Sequence, residues 1–190
     1  MYTISCAGGG IGFNFSKIRP KGDNIQNIAN SAPGSLSVMR MINEIGNHVR
    51  AGKNRRTALM GILDVTHPDL VEFLTAKLTA GELENFNISV AITDRFIEAV
   101  ELNENWYFTF NNKKYYLFSV FDTEGNRVQV VALDGEDAIE RANKHCKING
   151  DQKFTEATQI DLKAKDLWGH IWKNAVKSGD PGIYNISYAN

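Results

Sequence analysis

Hydrophobic positions along the chain alternate between strand-like and helix-like spacing. Apolar residues at 11, 13 and 15 predict a strand after a run of glycines. Over 36–50 the spacing becomes helical, and Gly52 is the predicted helix C-cap. An apolar run over 57–65 then predicts a strand buried on both faces. The predicted buried face of the helix consists of Val38, Ile42, Ile45 and Val49.

The same alternation continues through the first half of the chain. Pro68 suits the first turn of a second helix, and the charge of Asp69 suits its N-terminal end. Residues 87–92 predict another strand, after which Thr93 can cap a further helix. Strands that alternate with helices pair in parallel through crossover connections, so the predicted fold class is α/β. The apolar face of the second helix is predicted to hold Leu70, Phe73, Leu74 and Leu78.

Residues 105–159 have a different pattern of hydrophobic and polar residues from the rest of the chain. Two β-rich runs at 115–121 and 127–132 flank a loop with Gly125, which predicts a hairpin. Asp134 can cap a following helix, and 154–160 predicts one more strand. We therefore predict a small α+β module inserted into the α/β core. The predicted units are 1–104 for the first part of the core, 105–159 for the insertion and 160–190 for its continuation.

Composition excludes several classes of protein. The 190 residues carry a formal net charge of −1 and are 43% hydrophobic, as in ordinary globular proteins. A nucleic-acid-coating surface needs a clear basic excess, and a membrane helix needs about 20 apolar residues in a row, so neither partner is expected. Cys6 and Cys146 lack the spacing of a zinc site, which predicts reduced thiols in a cytoplasmic protein and no metal.

Three features carry candidate chemistry. The glycines at 8–10 allow either a phosphate-binding backbone or a tight turn. A dinucleotide-binding fingerprint is disfavoured, because that motif requires a helix directly after the glycines. The basic run at 53–56 could grip a phosphate or end a helix, and Asp23 could bind a ribose hydroxyl or form a turn. His67 is expected to cap or pack rather than to catalyse.

Several motifs, taken in order, resemble one family. Gly-Gly-Gly-Ile-Gly-Phe-Asn-Phe-Ser-Lys-Ile-Arg-Pro-Lys-Gly at 8–22, Leu-Asp-Val-Thr-His-Pro-Asp at 63–69 and Ser-Gly-Asp-Pro-Gly-Ile at 178–183 are similar to the large, catalytic subunit of ribonucleotide reductases. The adenosylcobalamin-dependent class is the most similar. The resemblance implies about half of a ten-stranded α/β barrel and the reduction of ribonucleotides to deoxyribonucleotides by a thiyl radical. It also implies a site where dNTP or ATP effectors select the substrate.

The resemblance implies roles for residues on two loops and on the glycine run. Arg19, at the entrance to the loop 22–34, would hold effector phosphate, and Arg55, on the loop 51–58, would reach towards substrate. The implied substrate-binding residues are Gly8, Gly9, Gly10 and Arg55. The implied effector-binding residues are Arg19, Asp23, Ile25, Lys53, Asn54 and Arg56. Cys6 stands where relatives carry serine or lysine, and Ala51 where some carry glutamine.

The family's radical cysteine lies in an Asn-x-Cys-x-Glu pattern, which 1–190 does not contain. We therefore expect no catalytic residue here, no activity of this chain alone, and adenosylcobalamin as a cofactor of the complete enzyme only. Both ends look cut, so association with the remainder of a reductase or with a second copy is expected. One alternative is a non-catalytic nucleotide-binding module with a regulatory or complementing role. Another gives the insertion a role in protein contacts.

Overall fold

A computed structural model describes residues 2–25, 28, 32–49, 57–145 and 153–188. The strands are β1 (Gly10–Asn14), β2 (Ala58–Asp64), β3 (Phe86–Ile92), β4 (Phe108–Phe110), β5 (Lys113–Asp122), β6 (Arg127–Ala132), β7 (Phe154–Ile160) and β8 (Gly182–Asn185). The α-helices are α1 (Tyr2–Cys6), α2 (Ser35–His48), α3 (Leu70–Thr75), α4 (Asp94–Glu101), α5 (Gly135–His145) and α6 (Ala164–Ser178). Short 3₁₀ turns follow at Ala76–Leu78 and Ile186–Tyr188.

A four-stranded parallel sheet forms the centre of the molecule. Its order is β1-β2-β3-β8, so successive strands are added in one direction. Since crossovers between parallel strands are right-handed, this order places their helices on one face of the sheet. Buried side chains of α2, α3, α4 and α6 join those of the strands in a single core. The prediction of an α/β fold with parallel pairing is confirmed.

The prediction that β2 is buried on both faces is wrong. Leu59 and Leu63 point into the core, whereas Ala58 is exposed and Met60 is 37% exposed on the opposite face. The reason is topological, because helices cover one face only. The uncovered face of the neighbouring strand β1 carries Gly10 and Gly12, both exposed. The sheet therefore presents an open surface of small and polar residues.

Helix α2 buries the predicted face only in part, because Val38 and Ile42 pack against the core as predicted. Leu36, Met39 and Asn43 are buried, while Ile45 is 47% exposed. The buried face is polar where Asn43 Oδ1 accepts a hydrogen bond from the Asn85 N–H at 3.1 Å. A polar anchor of this kind is invisible to hydrophobic periodicity. The helix also ends earlier than predicted, at His48 with an extended Val49 as its C-cap, and Gly52 lies outside the described residues.

Helix α3 is shorter than its pattern predicted. It ends at Thr75, and the chain continues as a 3₁₀ turn that leaves Leu78 37% exposed rather than buried. Thr93 caps α4 as predicted, because its hydroxyl accepts from the Phe96 N–H at 3.3 Å. Among the described residues, no helix is long and apolar enough to cross a membrane.

The segment 105–159 contains the predicted hairpin, helix and last strand. β5 pairs antiparallel with β6 and β7, and Asp134 Oδ1 accepts from the Asp137 N–H at 2.9 Å at the start of α5. The short strand β4, which the pattern missed, also pairs with β5. Phe108 and Tyr115 enter the core of the parallel sheet, while a second, smaller core lies between α5 and the antiparallel strands. The domain boundaries given above stay a prediction.

Gly61 provides a test of how tightly β2 packs. A Cβ there would lie 2.8 Å from Met39 Cε and 3.3 Å from ring atoms of Phe15 and Phe86. We expect Gly61→Ala to lower the free energy of unfolding by about 1–2 kcal/mol through overpacking. Gly12→Ala, with nothing within 4 Å of the added Cβ, is the matched control and should change it by less than about 0.5 kcal/mol. Urea unfolding of both variants measures the difference, and equal stabilities would contradict this packing.

Candidate functional site

The predicted substrate and effector residues that the structure describes lie beyond opposite ends of strand β1. Gly8, Gly9 and Gly10 lead into β1 at the edge where the parallel strands begin. Arg19, Asp23 and Ile25 follow β1 beyond the edge where those strands end. Strand β1 therefore connects the two sets directly. Lys53, Asn54, Arg55 and Arg56, with the rest of the loop 50–56, lie outside the described residues.

Local packing accounts for part of the glycine run. The N–H groups of Gly8 and Gly9 donate to carbonyl oxygens of α1, those of Ser5 at 3.0 Å and Ile4 at 2.9 Å. A Cβ on Gly9 would lie 2.8 Å from Ile4 Cγ2, so a side chain does not fit there. Gly10 is exposed and pairs with Ala58 of β2. The run forms a tight turn with one open face, and its substrate role stays a prediction.

The loop after β1 is closed at its base by backbone hydrogen bonds. The Gly22 N–H donates to Ala32 O at 2.9 Å, and the Ala32 N–H donates to Asp23 O at 3.0 Å. Further out, Ile25 and Ile28 exchange backbone hydrogen bonds at 3.1 and 2.9 Å. Residues 26–27 and 29–31 lie outside the described residues. The described part is a narrow, antiparallel loop base.

The three effector residues on this loop differ in exposure. Arg19 is exposed, and its Nη1 donates to the Asn24 carbonyl oxygen. Ile25 is 37% exposed. Asp23 is only 7% exposed, and its carboxylate faces the buried side chain of Tyr115. The structure thus brings Arg19 and Ile25 to the surface of one loop, and it places Asp23 in the interior beneath that loop.

One carboxylate holds both ends of the loop. Asp69 Oδ1 accepts from the Lys21 N–H at 2.8 Å, and Oδ2 accepts from the N–H and hydroxyl of Ser35 at 2.7 and 2.8 Å. Gly34, the N-cap of α2, has no side chain to satisfy these donors, so Asp69 supplies the cap from another element. Asp69 stands at the N-terminal end of α3 as predicted, but its side chain makes no capping bond to that helix and serves the loop instead.

His67 fixes Asp69 from the other side. Its Nδ1 accepts from the Asp69 N–H at 3.0 Å, and its Nε2 lies 2.9 Å from Ile18 O. The first contact requires an unprotonated Nδ1, so the hydrogen-bond network assigns the proton to Nε2, which donates to the carbonyl. The side chain is 1% exposed. The expectation that His67 packs rather than catalyses agrees with this geometry.

The ends of β1 and β2 border a small polar cavity. Its volume is about 370 Å³, near the lower limit for a small-molecule site, and it is lined partly by Ser16, Lys17, Asp64 and Asn111. Burial raises the pKa of Asp64, and contacts with Ser16 and His67 partly offset that rise.

Sequence reasoning missed the residues that hold the loop. Asp69 was assigned to its own helix, and no role was given to Tyr115 or Arg141. Arg141 is 4% exposed, and it lies on the buried side of α5 together with Ala138 and Ala142. An arginine within an alanine stripe is a signal that could have been read, because a buried charge requires a partner. Its partner Asp137 is one helical turn away in the sequence, whereas its contact with the Lys21 carbonyl, 120 positions away, could not have been read from the sequence.

The sequence profile of the ribonucleotide reductase barrel domain matches residues 1–190. The chain therefore belongs to the ribonucleotide reductase barrel-domain family. This agrees with the motif order at 8–22, 63–69 and 178–183.

Individual relatives include reductases that are named as vitamin B12-dependent and one that is named without a cofactor. The chain is 45% identical over 98 residues to the vitamin B12-dependent ribonucleoside-diphosphate reductase of Mycobacterium tuberculosis, which covers 51% of the chain and 14% of that protein. It is 29% identical over 188 residues to the vitamin B12-dependent enzyme of Thermoplasma acidophilum, covering 98% of the chain and 19% of that protein. It is 28% identical over 184 residues to the ribonucleoside-diphosphate reductase large chain of Schizosaccharomyces pombe, which covers 94% of the chain and 20% of that protein. The chain thus spans only 14–20% of the length of these relatives.

The described residues do not fit a cobalamin. Both ring nitrogens of the buried His67 are engaged in hydrogen bonds, so neither is available to a cobalt ion. Cavities lined by the described residues have volumes of about 290–480 Å³, at the lower end for drug-sized ligands, and a cobalamin is much larger. Within the described ranges, no group of three or more His, Cys, Asp or Glu side chains could hold a metal ion. No cofactor contact is assigned to these residues.

Removal of the Asp69 charge should loosen both ends of the loop. Asp69→Asn keeps the size of the side chain but replaces one acceptor oxygen with a donor, beside buried N–H groups. We expect the free energy of unfolding to fall by about 2–4 kcal/mol, since hydrogen bonds to a charged group each contribute about 1.5–3 kcal/mol. Asp161→Asn, at an exposed position, is the control and should have little effect. Chemical denaturation measures both, and a loss below about 1 kcal/mol in Asp69→Asn would contradict the anchoring role.

Tyr115 allows a test by pH. Burial, and then the negative charge of Asp23, raise the pKa of Tyr115 to about 12. The hydroxyl lies near the Asp23 carboxylate, but no described residue meets hydrogen-bond geometry with it. In the unfolded chain a tyrosine titrates near pH ~10, so the stability due to the neutral phenol is complete below that pH and is lost as the pH rises towards 12. Tyr115→Phe should therefore change stability by less than about 1 kcal/mol at pH 7 and be relatively more stable than wild type above pH ~10. Parallel pH dependences in urea unfolding would contradict this.

Proposed function

We propose that this chain forms part of a ribonucleotide reductase catalytic subunit, the part that carries the specificity-effector loops. The reaction of the complete enzyme would convert ribonucleoside di- or triphosphates to deoxyribonucleotides by a thiyl-radical mechanism. Membership of the barrel-domain family supports this proposal. Adenosylcobalamin is proposed as the radical source of the complete enzyme, following the two vitamin B12-dependent relatives, and no step of that chemistry is assigned to the residues described here.

The observation that carries the proposal is the path from the glycine turn to the anchored loop. β1 has five residues, so at about 3.3 Å per residue it separates the two by roughly 17 Å. The strand is hydrogen-bonded to β2, and the loop after it is tied to Asp69 at both ends. A change in the loop that follows effector binding would therefore be transmitted along a supported strand to the substrate end.

Each predicted site residue keeps its proposed role in this scheme. Arg19 would hold effector phosphate, because its exposed guanidinium offers five N–H donors and uses Nη1 on Asn24. Ile25 would contact the effector from the same loop, whereas the burial of Asp23 makes a ribose contact dependent on movement of Tyr115. The remaining proposed effector contacts are Lys53, Asn54 and Arg56, and the proposed substrate contacts are Gly8, Gly9, Gly10 and Arg55.

The parallel sheet is proposed to be about half of a ten-stranded barrel. Its one-directional strand order and its single helix-covered face are both features of barrels. Within the described residues, β1 and β8 each pair on one side only, and unpaired edges favour association with further strands. We propose that these strands come from the remainder of a reductase or from a second copy of the chain.

A second candidate function is a nucleotide-binding module that regulates or complements a reductase without catalysing the reaction. The observation that favours it is that the anchors of the loop base, Asp69 and His67, belong to the same chain as the loop. Effector binding by the purified chain without any reduction of ribonucleotides would support this function over the first.

Calorimetric titration with each dNTP and with ATP tests the effector site. We expect at least one nucleotide to bind the wild-type chain, and Arg19→Ala to weaken that binding by about 10- to 100-fold, as the loss of one charge-assisted contact to phosphate predicts. Lys17→Ala removes an exposed cation two residues away and is the matched control, expected to bind as wild type does.

Two results would count against an effector site on this loop. One is a folded wild-type chain that binds none of the nucleotides. The other is an equal affinity in Arg19→Ala, Lys17→Ala and the wild type, which would mean that binding occurs elsewhere.

A further inference from the structure

The segment 105–159 contacts the loop base from the side opposite to Asp69. Arg141 of α5 donates from Nη1 to the Lys21 carbonyl oxygen at 2.7 Å, across 120 positions of the chain. The Lys21 N–H, in turn, donates to Asp69 at 2.8 Å. The N–H and the carbonyl of one residue are thus held by two separate elements. Lys21 is a fixed point of the loop.

The guanidinium of Arg141 is itself held in place. Its Nε donates to Asp137 Oδ1 at 2.8 Å, one helical turn earlier, and the other oxygen of that carboxylate accepts from the Leu133 N–H at 2.9 Å. Arg141 is 4% exposed, so its charge is compensated inside the protein rather than by water. A buried and oriented arginine of this kind makes a directional contact, unlike a flexible surface cation.

The two residues after Lys21 also fit against this segment. A Cβ on Gly22, whose φ is +75°, would lie 3.2 Å from Arg141 Cγ, so the backbone passes close over the arginine stem. Tyr115 lies beneath, with its ring centroid 5.7 Å from the Arg141 guanidinium carbon, and it faces Asp23. Three consecutive loop residues therefore rest on side chains of the segment.

Arg19 is separated from this fixed point by one residue. That residue is Pro20, which is buried and has a restricted φ, and the residue before a proline is confined to extended conformations. The position of the Lys21 backbone therefore limits where the Arg19 side chain can lie.

We propose that the segment 105–159 braces the effector loop, and that Arg141 is a positioning residue for effector binding. The second half of this proposal rests on the proposed function, since it takes the loop 22–34 as the effector site. The first half, a brace on the loop base, does not depend on any ligand. The experiment below reads the two halves separately.

The test uses the full chain with Arg141→Ala, Arg141→Lys and a control, Arg127→Ala, which removes an exposed arginine from the start of β6. Hydrogen exchange of the backbone amides at 21–25, 32 and 34–36 reports the brace. Calorimetry with the nucleotide that binds wild type most tightly reports positioning, and circular dichroism reports folding.

We expect Arg141→Ala to fold, to exchange the loop-base amides about tenfold faster or more, and to bind nucleotide about tenfold more weakly. Arg141→Lys should restore part of the protection from exchange and part of the nucleotide affinity. A lysine ammonium can reach the Lys21 carbonyl, but it lacks the second N–H group of a guanidinium that also binds Asp137. Arg127→Ala should match the wild type in both measurements.

Results that differ from these expectations each decide against the brace, the positioning role or both. Unchanged exchange in a folded Arg141→Ala overturns the brace, whether or not nucleotide binds. Faster exchange with unchanged affinity overturns the positioning role alone. If the wild type binds no nucleotide, the proposed function and the positioning role fail together, while exchange still decides the brace. If Arg141→Ala does not fold, Arg141→Lys and Asp137→Asn take its place, and wild-type exchange in both would overturn the brace.

Discussion

The carboxylate of Asp69 is the interaction on which the architecture of the loop depends. It accepts hydrogen bonds from Lys21 and Ser35, at the two ends of the loop, with both oxygens used. The side chain is 6% exposed, so water cannot replace these partners without opening the structure. His67 holds the Asp69 backbone and ties it to Ile18, just after β1. One short segment thereby sets the exit of β1, the closure of the loop and the start of α2.

This arrangement explains how a long loop can be well placed near its base. Closing a loop costs conformational entropy. The hydrogen bonds that the buried Asp69 carboxylate accepts from both ends of the loop offset this cost. Further along the loop, Ile25 and Ile28 exchange backbone hydrogen bonds.

The segment 105–159 is integrated with the parallel sheet. Phe108 and Tyr115 belong to the main core, and Arg141 reaches the loop base, while a separate small core stabilises the rest of the segment. A module attached only by its two chain connections would share no core with the sheet. The same residues that bury the segment thus also place it against the loop that the family resemblance singles out.

The sequence by itself determined the elements whose signals lie within a few residues. The hairpin of β5 and β6, the Thr93 and Asp134 caps and the order of strands and helices follow from local propensity and periodicity. Motif order also determined the family. Only the tertiary structure decided that Asn43 of α2 is buried while Ile45 is exposed, and which residues hold the loop. The physical reason is that Asp69, Asn43 and Arg141 act through partners 34 to 120 positions away, and a polar residue that is buried because its partner is near looks, in sequence, like an exposed one.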